Sequence, residues 1–368
     1  MESMETCLIH WSTKSKDNLL KRRHVVTGVF DNRFIVVAGG YNEYCDSFIT
    51  AFMYDTQTSK CILLPDLPKI FESSFISGDN LRCYGTVLHT YFYIIHGGMR
   101  SMWRIDLCEE GSLWEQVMPP WIIPEALVSN GRNLCLFGPK ANKLYYPERN
   151  EWADLPPMPT PRTQYCTAIV GNDVYKIGGY VHPVRRPSST MEIFHISTRM
   201  WSPAPLLPIP LAGAAATVVV GIFIVITGGK TRNDEYSAQT LIYNSRTQQW
   251  SQSHLGLIPP RFNHACVTVG NYQIYSVGGE GSDPRPDKYA MYTLDTINAK
   301  YFIPDLASFT CFIHLRKLVY ENRAFPKIRT KTANSHQNTE YGDMDTTLQK
   351  VVTDLDDALF QFIFSFII

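Results

Sequence analysis

A repeated segment that ends in two glycines constrains the fold of this chain more than any other feature. The segments VYKIGG, FIVITGG and IYSVGG close at Gly179, Gly229 and Gly279, which lie 50 residues apart. Two earlier copies, FIVVAGG and FYIIHGG, close at Gly40 and Gly98, and a degenerate copy, LCLFGP, follows them. Self-similarity at such a period is typical of folds built from stacked supersecondary units. The sequence therefore predicts an array of similar small units.

Tryptophan and arginine recur at fixed positions relative to the glycine pairs. Closing glycines permit the positive φ angles and close backbone approach of a tight bend. An aromatic ring can bury about 150–250 Å² between successive sheets. The glycine pairs are Gly39 and Gly40, Gly97 and Gly98, Gly178 and Gly179, Gly228 and Gly229, and Gly278 and Gly279. The phased tryptophans are Trp11, Trp114, Trp152, Trp201 and Trp250, and the phased arginines are Arg23, Arg82, Arg162 and Arg261.

These features resemble the kelch repeat, which combines four hydrophobic residues, a double glycine, and a spaced tyrosine and tryptophan. The resemblance covers roughly residues 23 to 305. It implies an all-β fold of the kelch β-propeller type, in which each repeat forms one four-stranded blade. The 23 glycines, 23 prolines and 12% aromatic residues agree with short strands and tight turns.

The number of blades depends on the end of the repeat region. Units that begin near Arg23, Arg82, Ala126, Arg162, Leu211 and Arg261 give six blades. A seventh is predicted from FTCFIHLRKLVYENR, which aligns with the unit containing Cys266 although it lacks the glycine pair. An N-terminal strand at Trp11 would complete that blade, because propellers hide their sheet edges by joining the first and last blades. Six blades remain the alternative.

The predicted domains are a propeller over residues 1–328, a disordered linker over 329–346 and an apolar helix over 347–368. The linker is polar and poor in apolar residues, whereas the last eleven residues are almost wholly apolar. This apolar block of eleven residues is too short to cross a bilayer, and the helix that carries it could mediate self-association. Since about twenty residues precede the first unit, we expect a stand-alone propeller without a BTB or F-box domain.

The amino-acid composition limits the classes of partner and the cellular compartments that we expect for this protein. The chain has 34 basic and 34 acidic residues, and this balance argues against nucleic acid or an anionic membrane as partner. The longest apolar internal run, Ala212 to Thr227, is divided into two strands by the repeat, so no membrane span is predicted. Neither an N-terminal signal-peptide run nor a cysteine framework is evident. We therefore expect a cytoplasmic or nuclear protein without metal or cofactor.

Catalytic motifs are lacking in the sequence. No GxSxG, HExxH, Walker or GxGxxG sequence stands in a fitting context, and the ten histidines are scattered. The resemblance includes copper oxidases and sialic acid mutarotases, but the oxidases need histidine ligands that this pattern does not offer. We predict a non-catalytic interaction module or scaffold. A sugar-processing or other small-molecule enzyme of the mutarotase type is the alternative.

The predicted binding surface combines the loops that follow the glycine pairs with the connectors that carry the phased arginines. The resemblance implies that arginines at this phase line the mouth of the channel and hold acidic segments of a protein partner. The alternative is that each arginine braces a neighbouring blade and that the loops are a solvated set of mixed charge. The predicted partner-binding residues are Arg23, Arg82, Arg162, Arg261, Arg185, Arg186, Lys230, Arg232, Arg285, Tyr41 and Tyr180.

Overall fold

A computed structural model of the chain describes residues 12–15, 22, 24–41, 49–72, 82–253, 260–270, 273–281 and 294–298. These residues all belong to one compact unit, Met1–His314. They form β-strands joined by turns, apart from a single 3-10 turn at Lys69–Glu72. The all-β prediction is thus confirmed. The predicted linker and C-terminal helix lie outside the described residues.

Six four-stranded antiparallel sheets, blades 1 to 6, make up most of the fold. Blade 1 contains β2 (Val26–Phe30), β3 (Phe34–Ala38), β4 (Ala51–Asp55) and β5 (Lys60–Leu64). Blade 2 contains β6 (Cys83–Leu88), β7 (Tyr91–His96), β8 (Ser101–Asp106) and β9 (Glu115–Val117). Blade 3 contains β10 (Ala126–Ser129), β11 (Leu134–Phe137), β12 (Asn142–Tyr146) and β13 (Glu151–Leu155).

The remaining blades follow the same strand order, with two small sheets inserted. Blade 4 contains β15 (Cys166–Val170), β16 (Asp173–Ile177), β19 (Met191–His195) and β20 (Met200–Ala204). Blade 5 contains β21 (Ala215–Val219), β22 (Phe223–Thr227), β23 (Thr240–Asn244) and β24 (Gln249–Ser253). Blade 6 contains β26 (Ala265–Val269), β27 (Gln273–Val277), β29 (Leu294–Asn298) and β1 (Ser12–Ser15). The small sheets are β14 (Arg162–Thr163) with β17 (Tyr180–Val181) and β18 (Arg186–Pro187), and β25 (Arg261–Phe262) with β28 (Glu280–Gly281).

The first strands of the blades form a closed ring around the centre of the molecule. Each contacts the first strand of the next blade, in the order β2, β6, β10, β15, β21, β26 and back to β2. The described sheets therefore close with six blades, which was the alternative to the predicted seven. The segment around residues 309–320, on which the seventh blade was predicted, lies outside the described residues.

An N-terminal strand closes the ring, as predicted, but in a different blade. In blade 6, β1 pairs antiparallel with β29, with Ser12 opposite Thr296. This strand takes the outer position that the fourth strand takes in every other blade. Its predicted place beside a seventh blade is therefore wrong, because blade 6 otherwise has only three strands and an open outer edge. Trp11 itself is not among the described residues.

The repeated tryptophans join neighbouring blades, as predicted. The rings of Tyr243 and Trp250 lie 4.9 Å apart between centroids, and equivalent aromatic pairs occur in blades 3 and 4. The indoles of the four described repeat tryptophans also donate hydrogen bonds, each to a backbone carbonyl in the connector that precedes its blade. These bonds join Trp114 to Pro65, Trp152 to Met118, Trp201 to Pro156 and Trp250 to Pro205, at 2.8, 2.8, 3.2 and 3.4 Å.

The glycine pairs make bends against which the next blade packs. Gly178 has a φ of +64°, and a Cβ at this position would collide with the carbonyl oxygen of Leu211, where the next unit starts. Gly228 and Gly278 have the same relation to the carbonyl oxygens of Arg261 and Arg22. The prediction of positive φ is wrong for Gly97 and Gly98, because the loop they begin is only four residues long and turns back directly into β8.

Candidate functional site

The loops after the glycine pairs and the arginine-bearing connectors lie on the same face of the propeller, which we call the loop face. In blade 4, connector strand β14 pairs with loop strand β17, with Arg162 opposite Val181. In blade 6, connector strand β25 pairs with loop strand β28, with Arg261 opposite Gly281. These backbone pairings support the predicted common face. They also hold the loops in fixed positions.

Arg162 lies inside this face rather than on it. Its side chain has no solvent exposure, and its Nη1 donates to the carbonyl oxygens of Gly178 and Thr190, at 2.5 and 2.7 Å. Its Nη2 forms a 2.7 Å ion pair with Glu192, whose side chain is 8% exposed. All three bonds stay within blade 4. Arg162 therefore fixes the glycine bend to the third strand of its own blade.

Arg22 and Arg261 repeat this arrangement. Arg22 donates to the carbonyl oxygens of Gly39 and Thr50 at 3.0 Å each, and Arg261 donates to the carbonyl oxygen of Gly278 at 3.3 Å. Both residues are fully buried. Burial lowers the pKa of Arg22 to about 10, which leaves it charged at neutral pH. The phased arginine of the first unit is thus Arg22, whereas the predicted Arg23 lies outside the described residues.

The backbone of these arginines is held by the preceding blade. The N–H of Gly229 donates to the carbonyl oxygen of Arg261 at 2.8 Å, and the N–H of Gly279 donates to that of Arg22 at 3.2 Å. Each of these arginines therefore connects the glycine bend of one blade to that of the next. A buried guanidinium that already bonds to backbone carbonyls is not presented to a partner. The structure thus favours a bracing role over partner binding, within its own blade for Arg162 and between neighbouring blades for Arg261.

The other predicted partner-binding residues fall into two groups. Tyr41 is buried and stacks on His24 at 5.1 Å, Tyr180 is half-buried, and Lys230 forms a 2.8 Å ion pair with Asp234. Arg82 is buried and lines the central cavity. The exposed members of the predicted set are Arg185, Arg186 and Arg232, in the loops of blades 4 and 5. Arg285 lies outside the described residues.

The first strands surround a central cavity of about 220 Å³. Its polar lining includes Arg82, Tyr84, Glu125 and Tyr165. Burial, and then the Glu125 carboxylate, raise the pKa of Tyr84 well above its usual value of about 10, although Arg82 opposes this by hydrogen bonding to Tyr84. The pKa of Tyr165 is raised for the same two reasons. Both phenols are therefore neutral hydrogen-bonding groups at physiological pH.

A chain of hydrogen bonds runs around the mouth of this cavity. The N–H of His24 donates to the carbonyl oxygen of Asn263, that of Asn263 to Gly213, and that of Gly213 to Gln164, at 3.0, 2.9 and 2.8 Å. The chain ends where the N–H of Gln164 donates to the carboxylate of Glu125 at 3.1 Å. This chain of hydrogen bonds was not predicted from the sequence. In four of the six units the residue two places after the start has positive φ, which explains the glycine and the asparagine at two of these positions; the four residues are His24, Gln164, Gly213 and Asn263.

A buried lysine lies between blades 3 and 4. Lys176 is fully buried, and its Nζ donates to the hydroxyl of Tyr165 at 2.9 Å. The same Nζ lies 4.3 Å from the ring centroid of Phe137 and 4.2 Å from that of Tyr165. Burial holds the pKa of Lys176 well below its usual value, with Arg162 adding to the effect. Lys176 was not predicted as a special residue, because it stands one place before the end of the second strand, where other repeats carry an apolar or small residue.

The loop face is unequal around the ring. The segments between second and third strands run over residues 39–50, 178–190, 228–239 and 278–293 in blades 1, 4, 5 and 6. In blades 2 and 3 they are only residues 97–100 and 138–141. The connector Met118–Glu125 also crosses blade 3, where the N–H of Glu125 donates to the carbonyl oxygen of Phe137. We call these three short segments together the low sector.

Neither a membrane-crossing helix nor a metal-binding cluster occurs in the described part of the chain. No helix within it is long and apolar enough to span a bilayer. No group of three or more histidine, cysteine, aspartate or glutamate side chains is arranged there to hold a metal ion.

Comparison with known proteins gives matches to the same repeat. The family model described as the KLHDC2/KLHL20/DRC7 Kelch-repeats domain matches residues 126–279. Kelch-like protein terF from Aspergillus terreus is 27% identical over 150 residues, which cover 39% of this chain and 32% of the relative. Kelch-like protein 23 from Homo sapiens is 32% identical over 127 residues, or 34% and 21% of the two chains. Beta-scruin from Limulus polyphemus is 26% identical over 169 residues, or 43% and 18%. The matched regions thus span less than a third of each relative.

Proposed function

We propose that this chain, which matches the Kelch-repeats domain model over residues 126–279, is a non-catalytic kelch β-propeller that binds a partner protein through its loop face. Kelch repeats serve as protein-interaction and scaffold modules in the family. The proposal is supported by the way in which loops and connectors of this chain pair with each other on one face. Loops that are ordered before binding lose less conformational entropy when a partner arrives.

The observation that carries the proposal is a group of exposed cations on ordered loops. Strands β17 and β18 pair with each other, with Val181 opposite Arg186, and hold the tip of the blade 4 loop. Arg185 and Arg186 are exposed at this tip, and Arg232 is exposed in the neighbouring blade 5 loop. Exposed arginines on a rigid scaffold suit carboxylates of a partner. Partner binding through an acidic segment is therefore assigned to exposed loop residues, and not to the buried Arg162 and Arg261.

The central cavity supports a binding protein better than a sugar-processing enzyme. Its volume of about 220 Å³ is below the roughly 300–1,000 Å³ of typical ligand pockets. Its carboxylate, Glu125, already accepts a hydrogen bond from the backbone of Gln164 and so takes part in the hydrogen-bonded mouth. A carboxylate with a structural role in the ring is a poor choice for repeated proton transfer to a ligand. The mutarotase-type alternative therefore has little support.

Affinity capture with the full chain tests the proposed function. One variant reverses the exposed cations through Arg185→Glu, Arg186→Glu and Arg232→Glu, and a matched control carries Arg132→Glu on the opposite face. We expect a discrete set of proteins that wild type and control retain and the triple variant loses. The proposal fails if wild type, control and triple variant all retain the same proteins, or if none of them retains any protein.

The proposal also places the protein in the cytosol or nucleus. Four of the described cysteines, Cys108, Cys135, Cys166 and Cys266, carry free thiols, which persist in reducing compartments. Burial raises the pKa of the Cys135 and Cys166 thiols to about 12, so both are unreactive. Imaging of the tagged full chain tests this assignment, and a signal in the secretory pathway would overturn it.

A further inference from the structure

The low sector carries exposed apolar side chains that the fold does not use. Trp121 is 73% exposed, and Ile123 and Met99 are 47% and 44% exposed. Within the connector, exposed residues alternate with Ile122, which packs against the core cluster between blades 2 and 3. The connector is thus anchored through Ile122 while its neighbours face outward. Exposed tryptophan of this kind is a typical centre of a binding interface.

The backbone at Trp121 is strained in a way that packing does not explain. Its φ is +58°, a region that a bulky side chain rarely adopts. Pro119 and Pro120 precede it and Pro124 follows, so the connector has little freedom to relax. Strained residues that are rigidly held are concentrated at binding sites. The positive φ of Trp121 is therefore a second observation, besides its exposure, that favours a role in contacting a partner.

The charges of the low sector select the partner. Arg100, in the short loop of blade 2, and Lys140, in the short loop of blade 3, are both exposed. The acidic residue of the sector, Glu125, lies at the inner end, where its carboxylate accepts the hydrogen bond from Gln164. The outer part of the sector is therefore cationic and apolar. A complementary ligand must offer carboxylates beside large apolar side chains.

We propose that the low sector binds an extended partner segment in which acidic residues flank an aromatic or large aliphatic residue. The apolar residue packs on Trp121 and Ile123, and the carboxylates pair with Arg100 and Lys140. This inference rests on the proposed function and refines it, because it adds a contact on blades 2 and 3 to the one proposed on blades 4 and 5. The short loops leave room for the segment, since the fully described neighbouring loop of blade 4, residues 178–190, is more than three times as long.

Selection of peptides from a random displayed library on the purified full chain tests this inference. We expect selected peptides to share acidic residues around an aromatic or large aliphatic residue. The Trp121→Ala variant should bind a synthetic copy of the selected peptide at least tenfold more weakly, as expected for an interface centre. Arg100→Glu combined with Lys140→Glu should slow association and reverse its salt dependence. The matched controls change residues on the opposite face. Leu113, which is 70% exposed, is replaced by alanine, and Arg132 is replaced by glutamate (Leu113→Ala and Arg132→Glu).

The outcomes separate the inference from the proposed function. Binding that is insensitive to the low-sector variants but lost in the triple variant at Arg185, Arg186 and Arg232 overturns the inference and leaves the proposed function intact. Selected peptides without the acidic and apolar pattern also overturn it. If no selected peptide depends on any loop-face residue, both fail. Circular dichroism and urea unfolding of each variant ensure that a loss of binding is not a loss of folding.

Discussion

Replacement of Arg162 by alanine tests whether the phased arginines are braces. The change removes donors to the carbonyl oxygens of Gly178 and Thr190 and leaves Glu192 as a buried carboxylate without its cation. Breaking a buried pair from one side costs about 3–5 kcal/mol of unfolding free energy. Since a domain is stable by about 5–15 kcal/mol, this is a large share of the total.

Equilibrium unfolding in urea, followed by tryptophan fluorescence and circular dichroism, measures this cost. Arg186→Ala, on the exposed loop tip, is the matched control and should change the unfolding free energy by no more than about 0.5 kcal/mol. In a Glu192→Gln background, Arg162→Ala should lower the unfolding free energy by about 1–3 kcal/mol less, because no buried carboxylate is then left without its cation. If Arg162→Ala unfolds like wild type yet loses the partner, Arg162 is a contact residue and the bracing account is wrong.

Three further predictions concern the stability of the fold. Gly178→Ala should cost about 1–3 kcal/mol more than Gly171→Ala, because both have φ near +60° but only a Cβ at Gly178 meets a backbone carbonyl; equal costs would contradict this. Burial, with a smaller effect of Arg261, holds the pKa of His264 well below 6.5. The stability that the neutral imidazole contributes is therefore complete above about pH 6.5. Below that pH the free energy of unfolding should fall by up to about 1.4 kcal/mol per pH unit. His264→Gln should flatten that slope between pH 7 and pH 5, and an unchanged slope would refute the assignment. Burial likewise lowers the pKa of Lys176, so the free energy of unfolding of the wild type should rise with pH up to the lysine pKa of the unfolded chain, about 10.4. The Lys176→Met variant should lack this rise and, in urea unfolding at pH 7, should be no less stable than the wild type.

The repeat made most of the fold predictable from the sequence. The spacing of Gly179, Gly229 and Gly279 marks second strands because a bend with positive φ against a neighbouring carbonyl accepts no side chain. The tryptophan phase likewise reflects a fixed contact with the preceding connector. Blade number was less predictable, because β1 and β29 carry no glycine pair and their pairing joins segments from distant parts of the chain.

The candidate site was harder to predict because the repeat itself obscures it. Recurrent arginines stand out in the sequence, yet Arg22, Arg162 and Arg261 recur because they bond to backbone carbonyls of their own blades. A binding site on a propeller is expected where the repeat is broken. The short loops at residues 97–100 and 138–141 and the connector around Trp121 are such breaks. Positive φ at Trp121 could not be foreseen, since tryptophan does not favour it.

Hydrogen–deuterium exchange of the full chain, alone and saturated with its captured partner or a selected peptide, locates the bound surface. Binding at the low sector should slow exchange at the backbone amides of residues 97–100, 118–125 and 138–141. Amides of the opposite turns at residues 129–133 and 171–172 should exchange at unchanged rates. Protection confined to the opposite turns or to the outer strands, with the low sector unaffected, would contradict the assignment of partner binding to this face.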